Sequence, residues 1–553
     1  MKQCTLNRYM LTLLFSSVFV YAQGSNGSIT GTITDANGAS VPAATVEAKE
    51  KNTGLVLKVQ STEEGLYTFP TLPVGTYNIV VEKSGFKKLT RTDVPVNTAA
   101  RVSLDLKLEV GDVTQSVDVT AEAPLLEATS SEKSSNFTPK FMANLPLFTG
   151  GIRSAQSFVG YMPGVNNNRE MSISGSGGRG AEVQIDGASL IIPESGGAVF
   201  NFPGSEAFGE FKLTTGTYSA ELGRFGGGVQ QFSSKSGTND FHGALFWYLR
   251  RDIFNANAWQ NNAAGRARPK ERFNEAGFAA GGPVWIPKVY DGRNKTFFYV
   301  TLSRDLRPAT ISPVQDTVPT AAMRSGNFAE LGTLVYDPAT TVGNTRQPFP
   351  GNSIPASRIS KVASNFLPSL PSPNLGGFAF NYAFVNQSAV KDRVFTYKVD
   401  HNFSSNNRLA FFHTMQNQDT QNITAFDGPL GQGLGNNFQK PFNVRANHDL
   451  VIRPTILLHS TFGYSSTIQG WDNPAQRGFA SKVGLGVPTD ATPRVVFSSA
   501  DAYTPWGVQD GKVNNGGQNN YTYHFNQTLS VLKGKHSMKF GWDIRRLQTY
   551  AFD

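Results

Sequence analysis

Cysteine is almost absent: the 553-residue sequence contains a single one, Cys4. One cysteine cannot form an internal disulfide, and none elsewhere can act as a metal ligand or nucleophile. Charge is also sparse, since Asp, Glu, Lys and Arg make up 16% of the residues and the formal net charge is +9. Because no block of Lys or Arg concentrates this charge, we expect no nucleic-acid partner.

Long apolar runs are missing as well. The main run, from Met10 to Val20, follows Lys2 and Arg8 and precedes Val20-Tyr21-Ala22, which predicts a signal peptide over residues 1–22. Cys4 lies within it, so the mature chain would have no cysteine. No later stretch reaches about 18 uninterrupted apolar residues, so we expect no helical membrane span. An exported chain of this kind is either soluble or a β-barrel.

Glycine and phenylalanine are abundant, with 55 and 40 residues. From Ser28 to Leu108, short alternating segments break at turn residues, which predicts a β-sandwich of about seven strands over residues 23–110. Predicted strands include Ser28–Thr34, Val41–Ala48 and Arg101–Leu108. The motifs Gly31-Thr32-Ile33-Thr34-Asp35, Leu72-Pro73-Val74-Gly75-Thr76-Tyr77 and Gly85-Phe86 resemble the carboxypeptidase-regulatory-like domain. That resemblance implies an immunoglobulin-like sandwich and no catalytic residues.

Residues 136–237 form a second glycine-rich unit. Strands are predicted at Ala181–Gly187, which ends in a turn, and at Phe211–Thr215. Gly175–Gly180 matches G-x-G-x-x-G but lacks the strand–helix context of a nucleotide site, so we interpret it as a turn. The segments Gln184–Ser189 and Tyr218–Gly228 resemble the plug domain of TonB-dependent receptors of the Oar-like type. This unit is therefore predicted to be a plug.

From residue 238 the sequence has longer alternating segments. In Lys535–Arg545, large apolar residues face one side and charged or small residues the other, as a strand between lipid and a barrel lumen requires. Predicted strand pairs are Phe273–Gly282 with Lys295–Arg304, Val394–Phe403 with Arg408–Met415, and Asn443–Ile452 with Thr455–Tyr464. Long irregular stretches lie between the pairs, at Pro308–Val390 and Gly470–Asn520. We therefore expect residues 238–553 to form part of an outer-membrane β-barrel.

Several segments of this region also resemble the Oar-like family. They are Gly237–Gly243, Lys295–Phe298, Thr317–Gly326, Phe349–Pro355, Val399–Phe403 and Gly534–Ser537. The predicted fold is all-β: an N-terminal sandwich, a plug and the first part of a transmembrane antiparallel barrel. We count eight to ten strand candidates, whereas the barrel implied by the resemblance has about twenty-two. We therefore expect a fragment or a truncated gene product.

The resemblance implies an outer-membrane protein whose N-terminal domain lies in the periplasm. Its partners would be the TonB–ExbB–ExbD energy-transducing complex, membrane lipid and an unidentified substrate: an oligosaccharide, a peptide or a metal chelate. Nothing in the sequence indicates an enzyme, a cofactor or a metal site. None of the seven histidines has metal-ligand spacing, and no nucleophile elbow or Walker loop is present.

Two candidate sites follow from the resemblance. Residues 111–135 form a linker whose alternating segment, Val117, Asp118, Val119, Thr120 and Ala121, could be the TonB-contact box that adds as a strand to a partner's sheet. The other interpretation of this segment is a last sandwich strand followed by a linker. In the plug, Arg179 and Asp186-Gly187 match a recurrent pattern that would lock the plug in the barrel through a buried charge pair. The alternative is an ordinary Asp-Gly turn with a solvated arginine.

The leading functional hypothesis is TonB-dependent uptake of a bulky or scarce substrate. A surface adhesion or organising protein anchored by the barrel is the second. A secreted, soluble, carbohydrate-binding β protein is the third.

Overall fold

A computed structural model describes residues 26–111, 116–120, 131–138, 152–166, 172–176, 180–192, 202–263, 265, 267–268, 270, 272–423, 436–472, 478–486 and 515–552. The predicted signal peptide lies outside these residues. Strands dominate, as the all-β prediction requires. No helix in the described part of the chain is both long and apolar enough to span a lipid bilayer.

The N-terminal domain is a sandwich of two sheets. Its strands are β1 Gly27–Thr34, β2 Thr45–Glu50, β3 Val56–Gln60, β4 Leu66–Leu72, β5 Gly75–Glu82, β6 Lys88–Val96, β7 Arg101–Ser103, β8 Leu106–Lys107 and β9 Ser116–Thr120. One sheet has the order β4-β1-β7, with β8 also paired to β1, and the other has the order β3-β2-β5-β6-β9. Burial alternates along β5, where Tyr77, Ile79 and Val81 enter the core between the sheets.

Two predictions for this domain differ from the structure. The strand predicted over Val41–Ala48 begins only at Thr45, because Ala43 has a left-handed φ of 51° and the chain turns there. The linker predicted over residues 111–135 contains β9, which pairs in parallel with β6 at the edge of the sandwich.

The plug is built around a five-stranded sheet of order β10-β15-β16-β13-β14. The strands of this domain are β10 Lys133–Phe137, β11 Val165–Asn166, β12 Ser172–Ile173, β13 Glu182–Ile185, β14 Ala188–Ser189, β15 Phe208–Gly216 and β16 Val229–Ser234. Its apolar core is rich in phenylalanine and includes Phe158, Phe208, Phe211 and Phe232. Strand β10 starts inside the predicted linker, so the plug sheet begins before residue 136.

The C-terminal region is one nine-stranded antiparallel sheet of order β17-β18-β21-β22-β23-β24-β25-β26-β27. Its strands are β17 His242–Arg251, β18 Arg272–Pro283, β21 Thr296–Asp316, β22 Tyr382–Ser404, β23 Asn407–Ile423, β24 Asn436–Arg453, β25 Ile456–Asp472, β26 Asn515–Lys533 and β27 His536–Phe552. Strands β19 Trp285–Ile286 and β20 Tyr290–Asp291 form a small accessory hairpin between β18 and β21. The three predicted strand pairs are confirmed.

Long strand segments replace part of the predicted irregular stretches. Strand β21 continues to Asp316 and β22 begins at Tyr382, so the long connection covers residues 317–381 rather than Pro308–Val390. Strand β25 continues to Asp472 and β26 begins at Asn515, which shortens the second stretch in the same way. Four short α-helices occur in the described part of the chain, all in connections: α1 Trp259–Ala263, α2 Ala321–Arg324, α3 Lys361–Phe366 and α4 Phe479–Val483.

The two ends of the nine-stranded sheet differ. At one end, short turns join β22 to β23, β24 to β25 and β26 to β27. The sandwich lies at this end, where the backbone N–H of Asn239 donates to the carbonyl of Asn52 at 3.0 Å. The long connections lie at the other end, which is the asymmetry of outer-membrane barrels.

The face of the sheet opposite the plug is apolar at alternate positions. Along β17, Leu245, Trp247 and Leu249 are 89%, 69% and 51% exposed, whereas Phe246 and Tyr248 between them are partly buried on the inner side. In β27, Phe540 and Ile544 are exposed while Arg545 lies on the opposite face. Alternation of this kind suits a wall with lipid on one side and the plug on the other.

Candidate plug-locking site

The β13–β14 hairpin of the plug carries the predicted Asp186-Gly187 pair at its tip. Both residues are left-handed, with φ of 47° and 83°, which defines the two-residue turn that Asp-Gly favours. The Asp186 carboxylate is buried and accepts hydrogen bonds from the backbone N–H of Ser234 at 2.9 Å and from its hydroxyl at 2.5 Å. These bonds fix the turn to strand β16, so the hairpin projects as a rigid element.

The barrel presents one transverse row of inward-facing residues to this hairpin. Strand register places these residues side by side on seven successive strands, and we call them the plug-seat row. They are Tyr299, Lys398, Phe412, Arg445, Gly463, His524 and Arg545. Each contacts or closely approaches the plug. The interface between plug and barrel therefore extends across all seven strands and is not limited to one charge pair.

Arg445 is the most deeply buried charged member of the row, at 1% exposure. Its Nη2 donates to the carbonyl of Ser189 in the plug at 3.1 Å and to the hydroxyl of Ser465 at 2.9 Å. Its Nη1 donates to the carbonyls of Val444 and Tyr464 at 2.8 and 2.9 Å. The barrel thus holds the guanidinium in a fixed orientation toward the hairpin.

Arg545 forms an ion pair with the plug. Its Nη1 lies 3.0 Å from both carboxylate oxygens of Glu182, and the two side chains are 8% and 1% exposed. Its Nε also donates to Asp543 at 2.8 Å. Buried groups in such a network are expensive to leave unpaired, so separating the hairpin from the wall requires work.

His524 completes a ring of contacts around the hairpin. The backbone N–H of Ser189 donates to its Nδ1 at 2.9 Å, which leaves Nε2 to donate to Asp543 at 2.8 Å. Asp543 in turn binds Arg545. The neutral imidazole therefore bridges the plug backbone and the barrel ion-pair network.

Gly463 permits the closest approach of the two domains. A β-carbon built at this position would lie 2.6 Å from the Cβ of Ala188 in the hairpin. Beside it, the side-chain amides of Asn447 and Asn526 donate to the carbonyls of Asp186 and Gly187 at 3.0 and 3.3 Å. The close approach at Gly463 and these hydrogen bonds together fix the position of the hairpin against the barrel wall.

The sequence-predicted residues are only partly brought together. Asp186 and Gly187 lie at the tip that enters the seat, while Arg179 lies outside the described residues, so its pairing with Asp186 stays a prediction. None of the barrel residues in the plug-seat row was predicted from the sequence to contact the plug. Alternation along its own strand predicts that Arg545 lies on the polar face, but nothing in the sequence relates it to Glu182.

The predicted TonB-contact segment lies beside the sandwich rather than at the seat. Val117 to Thr120 belong to β9, whose backbone pairs with residues 89–92 of β6, while Ala121 lies outside the described residues. This is the arrangement expected from the alternative interpretation, a last sandwich strand. The role of the segment in TonB contact stays a prediction.

The sandwich docks on the plug through a second buried interface. The backbone N–H of Thr98 donates to the carboxylate of Glu210, and the Thr98 hydroxyl donates to Ser233 at 2.9 Å. Nearby, Lys212, only 1% exposed, donates to the carbonyl of Ala99 at 3.0 Å and pairs with Glu132 at 3.1 Å. Burial raises the pKa of Glu210 above its ordinary value, despite the opposing hydrogen bond from Thr98.

A cavity of about 390 Å³ lies where sandwich, plug and barrel meet. Charged residues of all three units line it, among them Glu50, Lys235, Lys398 and Arg408. Within the described residues, no cluster of three or more His, Cys, Asp or Glu side chains could hold a metal ion.

A lipid-facing antiparallel sheet that carries a folded domain on its inner side defines the class: an outer-membrane β-barrel protein with an internal plug. Comparison with known proteins agrees. The chain belongs to the outer membrane beta barrel domain family, whose profile matches residues 233–553, and the profile of the carboxypeptidase regulatory-like domain matches residues 28–109. The protein is located in the outer membrane.

One characterised relative is the TonB-dependent transporter Oar of Myxococcus xanthus, which is 32% identical over 246 residues. That match covers 42% of this chain and 22% of the Myxococcus protein. The chain thus matches about a fifth of the length of that relative.

Two solved structures resemble the chain at 12% identity. The outer membrane transporter YddB from Escherichia coli has a TM-score of 0.46, and the siderophore receptor PirA from Acinetobacter baumannii has a TM-score of 0.44. Each comparison covers 76% of this chain and 48% of the other. At these scores the likeness carries no functional inference.

Proposed function

We propose that the protein is a TonB-dependent transporter that takes up a bulky or scarce substrate across the outer membrane. The observation that carries the proposal is the plug-seat row, where seven neighbouring strands hold the plug across the inside of the barrel. A plug held by buried polar contacts opens only if work is done on it. The similarity to the TonB-dependent transporter Oar supports a transporter whose plug is opened by an external energy source.

In this proposal the TonB–ExbB–ExbD complex supplies the work from the periplasm. Val117 to Ala121 would be the segment it engages, and Val117 to Thr120 are in an edge strand, which a partner can displace or extend. The sandwich would lie in the periplasm, next to the short turns of the barrel. Pulling on β9 would then act on the sandwich and, through the following linker, on the plug.

Thiol labelling tests whether the plug moves when the system is energised. Ala188 and Ala44 are both fully buried, the first against the plug seat and the second in the sandwich core. With Ala188→Cys in an otherwise cysteine-free mature chain, we expect labelling by a membrane-impermeant maleimide only in energised cells that contain TonB and substrate. Ala44→Cys should stay unlabelled throughout. Labelling of Ala188→Cys that is the same with and without TonB would reject energised opening.

A surface adhesion or organising role is the second candidate. The observation that favours it is a small apolar core shared by two outer connections, in which Leu370 packs with Phe479 and Val483. Loops with a core of their own can present a fixed surface to another cell. Removal of residues 327–358 should then abolish cell–cell contact and leave uptake intact, whereas unchanged contact would reject this role.

A further inference from the structure

Four positively charged side chains cross the lipid-facing side of the barrel wall. Strand register places Arg304 of β21 directly beside Arg393 of β22, and Lys391 is the next outward-facing residue of β22. Asn417 of β23 continues the row beside Arg393, and Lys440 of β24 follows it. All four charged side chains are exposed. We call Arg304, Lys391, Arg393 and Lys440 the rim cations.

The rim cations lie at the level where the apolar band of the wall ends. On the side of the short turns, the next row of outward-facing residues is apolar on five successive strands: Phe278, Leu302, Phe395, Met415 and Phe442. Trp247 of β17 lies at the level of the rim cations, connected to Arg304 through Ala276, and is exposed. Tryptophan is enriched where hydrocarbon meets the lipid headgroups. Because the long connections lie beyond the rim cations, this level is the boundary of the outer leaflet.

The protein does not neutralise the rim cations. Inward-facing Arg307, on the same strand as Arg304, pairs with the buried Asp305 at 2.7 Å. Within the part of the chain that the structure describes, by contrast, none of the rim cations takes part in an ion pair. Among the described residues of the two rows that hold them, Asp419, beside Lys391, is the one carboxylate, so four cations and one carboxylate leave a charge of +3. Like charges directly opposite each other on adjacent strands repel, so the paired arginines favour an anion between them.

The arrangement of the rim cations narrows the ligand class. Two neighbouring guanidinium groups present planar sets of donors, which match the oxygens of a phosphate. From β21 to β24 the row spans three strand spacings, about 14 Å, which is wider than one phosphate. A headgroup with two separated phosphates would reach both the arginine pair and Lys440. A soluble anion would leave the apolar row below uncovered, whereas the acyl chains of a lipid would cover it.

We propose that the rim cations bind the headgroup of an outer-leaflet lipid that carries two phosphates. One phosphate lies between Arg304 and Arg393, the other reaches Lys440, and the acyl chains lie along the apolar row below. Such a lipid holds the barrel at a fixed depth in the membrane. The proposal depends on the location of the protein in the outer membrane and not on what the protein transports.

Native mass spectrometry of the full-length gene product in detergent micelles tests the proposal. The probes are lipid A with both phosphates, the same lipid A after enzymatic removal of the phosphates, and inorganic phosphate as a competitor. We expect the bisphosphorylated lipid to bind at least about tenfold more tightly than its dephosphorylated form, because charge-assisted hydrogen bonds are lost with each phosphate. Equal binding of the two lipids, or binding of neither, would overturn the assignment. Displacement of the lipid by millimolar phosphate would assign the rim cations to a soluble anion instead.

Two double variants locate the site. Arg304→Gln combined with Arg393→Gln should weaken binding of bisphosphorylated lipid A about tenfold or more. Lys533→Gln combined with Lys535→Gln removes the same number of exposed charges at the turn between β26 and β27, at the opposite end of the sheet, and should leave the affinity unchanged. Equal loss in both double variants contradicts the proposal. Arg304→Lys combined with Arg393→Lys keeps the charge and should therefore lose less affinity than the glutamine pair.

The salt dependence of binding tests the parent protein without any substitution. Because the rim cations are exposed, their attraction to phosphate is screened by salt, so the affinity for bisphosphorylated lipid A should fall as the NaCl concentration rises. The dephosphorylated lipid, which has only its acyl chains to contribute, should show no such fall. An affinity for the bisphosphorylated lipid that does not change with salt would mean that the apolar row alone binds it, and the role of the rim cations would be rejected.

Discussion

Arg545 of β27 and Glu182 of β13 form a buried ion pair between residues 363 positions apart in the sequence, with Arg545 Nη1 3.0 Å from both carboxylate oxygens. One partner belongs to the barrel and the other to the plug. The pair therefore reports directly on whether the plug is seated.

Removing one partner of this pair should loosen the plug. Arg545→Met leaves the Glu182 carboxylate buried and unpaired, at a cost of about 3–5 kcal/mol. Glu182→Gln should cost less, because Arg545 keeps its ion pair with Asp543 at 2.8 Å. We expect lower thermal stability of the plug and greater entry of a large antibiotic in cells lacking TonB. The exchange Glu182→Arg with Arg545→Glu should recover part of the loss.

The matched control is the exposed pair Lys51–Asp93, whose side chains are 57% and 49% exposed. Lys51→Ala should cost at most about 1 kcal/mol, because solvent screens such pairs. If Lys51→Ala and Arg545→Met have equal effects on plug stability, the buried pair does not hold the plug.

Gly463→Ala should displace the hairpin. The added methyl group would lie 2.6 Å from the Cβ of Ala188, and both contacts are in structural elements that cannot shift freely. We expect a leaky barrel, measured as increased conductance of single channels in planar bilayers. Ala188→Gly in the same chain should restore the low conductance.

Gly223→Ala provides the control, because a β-carbon at Gly223 meets nothing within 4 Å. That variant should conduct like the parent protein. A Gly463→Ala variant that stays closed would show that the hairpin tolerates another position, and the close approach would then have no role in the seal.

Sequence alternation predicted which face of a barrel strand looks inward, but not the height of each residue. The pattern of its own strand is enough to predict that Arg545 lies on the polar face, opposite Ile544. Its partnership with Glu182 depends on the register of every intervening strand pair, which turn lengths fix and side-chain pattern does not. The plug-seat row is therefore defined only by the assembled sheet.

The ends of the strands were predicted poorly for a related reason. Beyond the apolar band, lipid no longer requires alternation, so residues 382–390 of β22 lack the pattern that identified Val394–Phe403. The Asp186-Gly187 turn was predictable because its backbone conformation depends on two residues that tolerate positive φ. The local conformation of this turn could be predicted from the sequence, whereas the register between distant strands could not.

Docking of the sandwich on the plug should weaken as the pH rises. Burial raises the pKa of Glu210 in the folded protein, so its neutral form is favoured at the interface. A raised folded pKa gives a contribution that is complete below the unfolded value of about 4.3 and is lost as the pH rises through the folded value. Glu210→Gln stays neutral, so it should flatten this dependence.

The measurement is the rate of proteolysis of the linker between sandwich and plug from pH 4 to 7. At each pH this rate is corrected for the activity of the protease on an unfolded substrate. The parent protein should become more susceptible with rising pH, and Glu210→Gln should not. A parallel pH profile in both proteins would assign the effect to another group.

Arg324 should hold the outer connections in their folded arrangement. Its guanidinium donates to the carbonyls of Pro319 at 3.1 Å, Leu367 at 2.7 Å and Pro371 at 2.5 Å, so one side chain joins α2 to the segment after α3. Lysine cannot reach these acceptors with a planar fork, so Arg324→Lys should lose most of the bonds. The segment 317–381 should then be cut several times faster by trypsin added to whole cells.

Arg346→Lys is the control in the same segment, because Arg346 makes one exposed hydrogen bond, at 3.1 Å to Thr341. Both variants keep a trypsin site at the altered position, so a difference in cleavage reports order rather than sequence. Faster cleavage confined to Arg324→Lys is expected, with no change in the seated plug, since the seat lies on the strands below. Equal cleavage of the two variants would mean that the apolar contacts of Leu370, Phe479 and Val483 alone keep the connections folded.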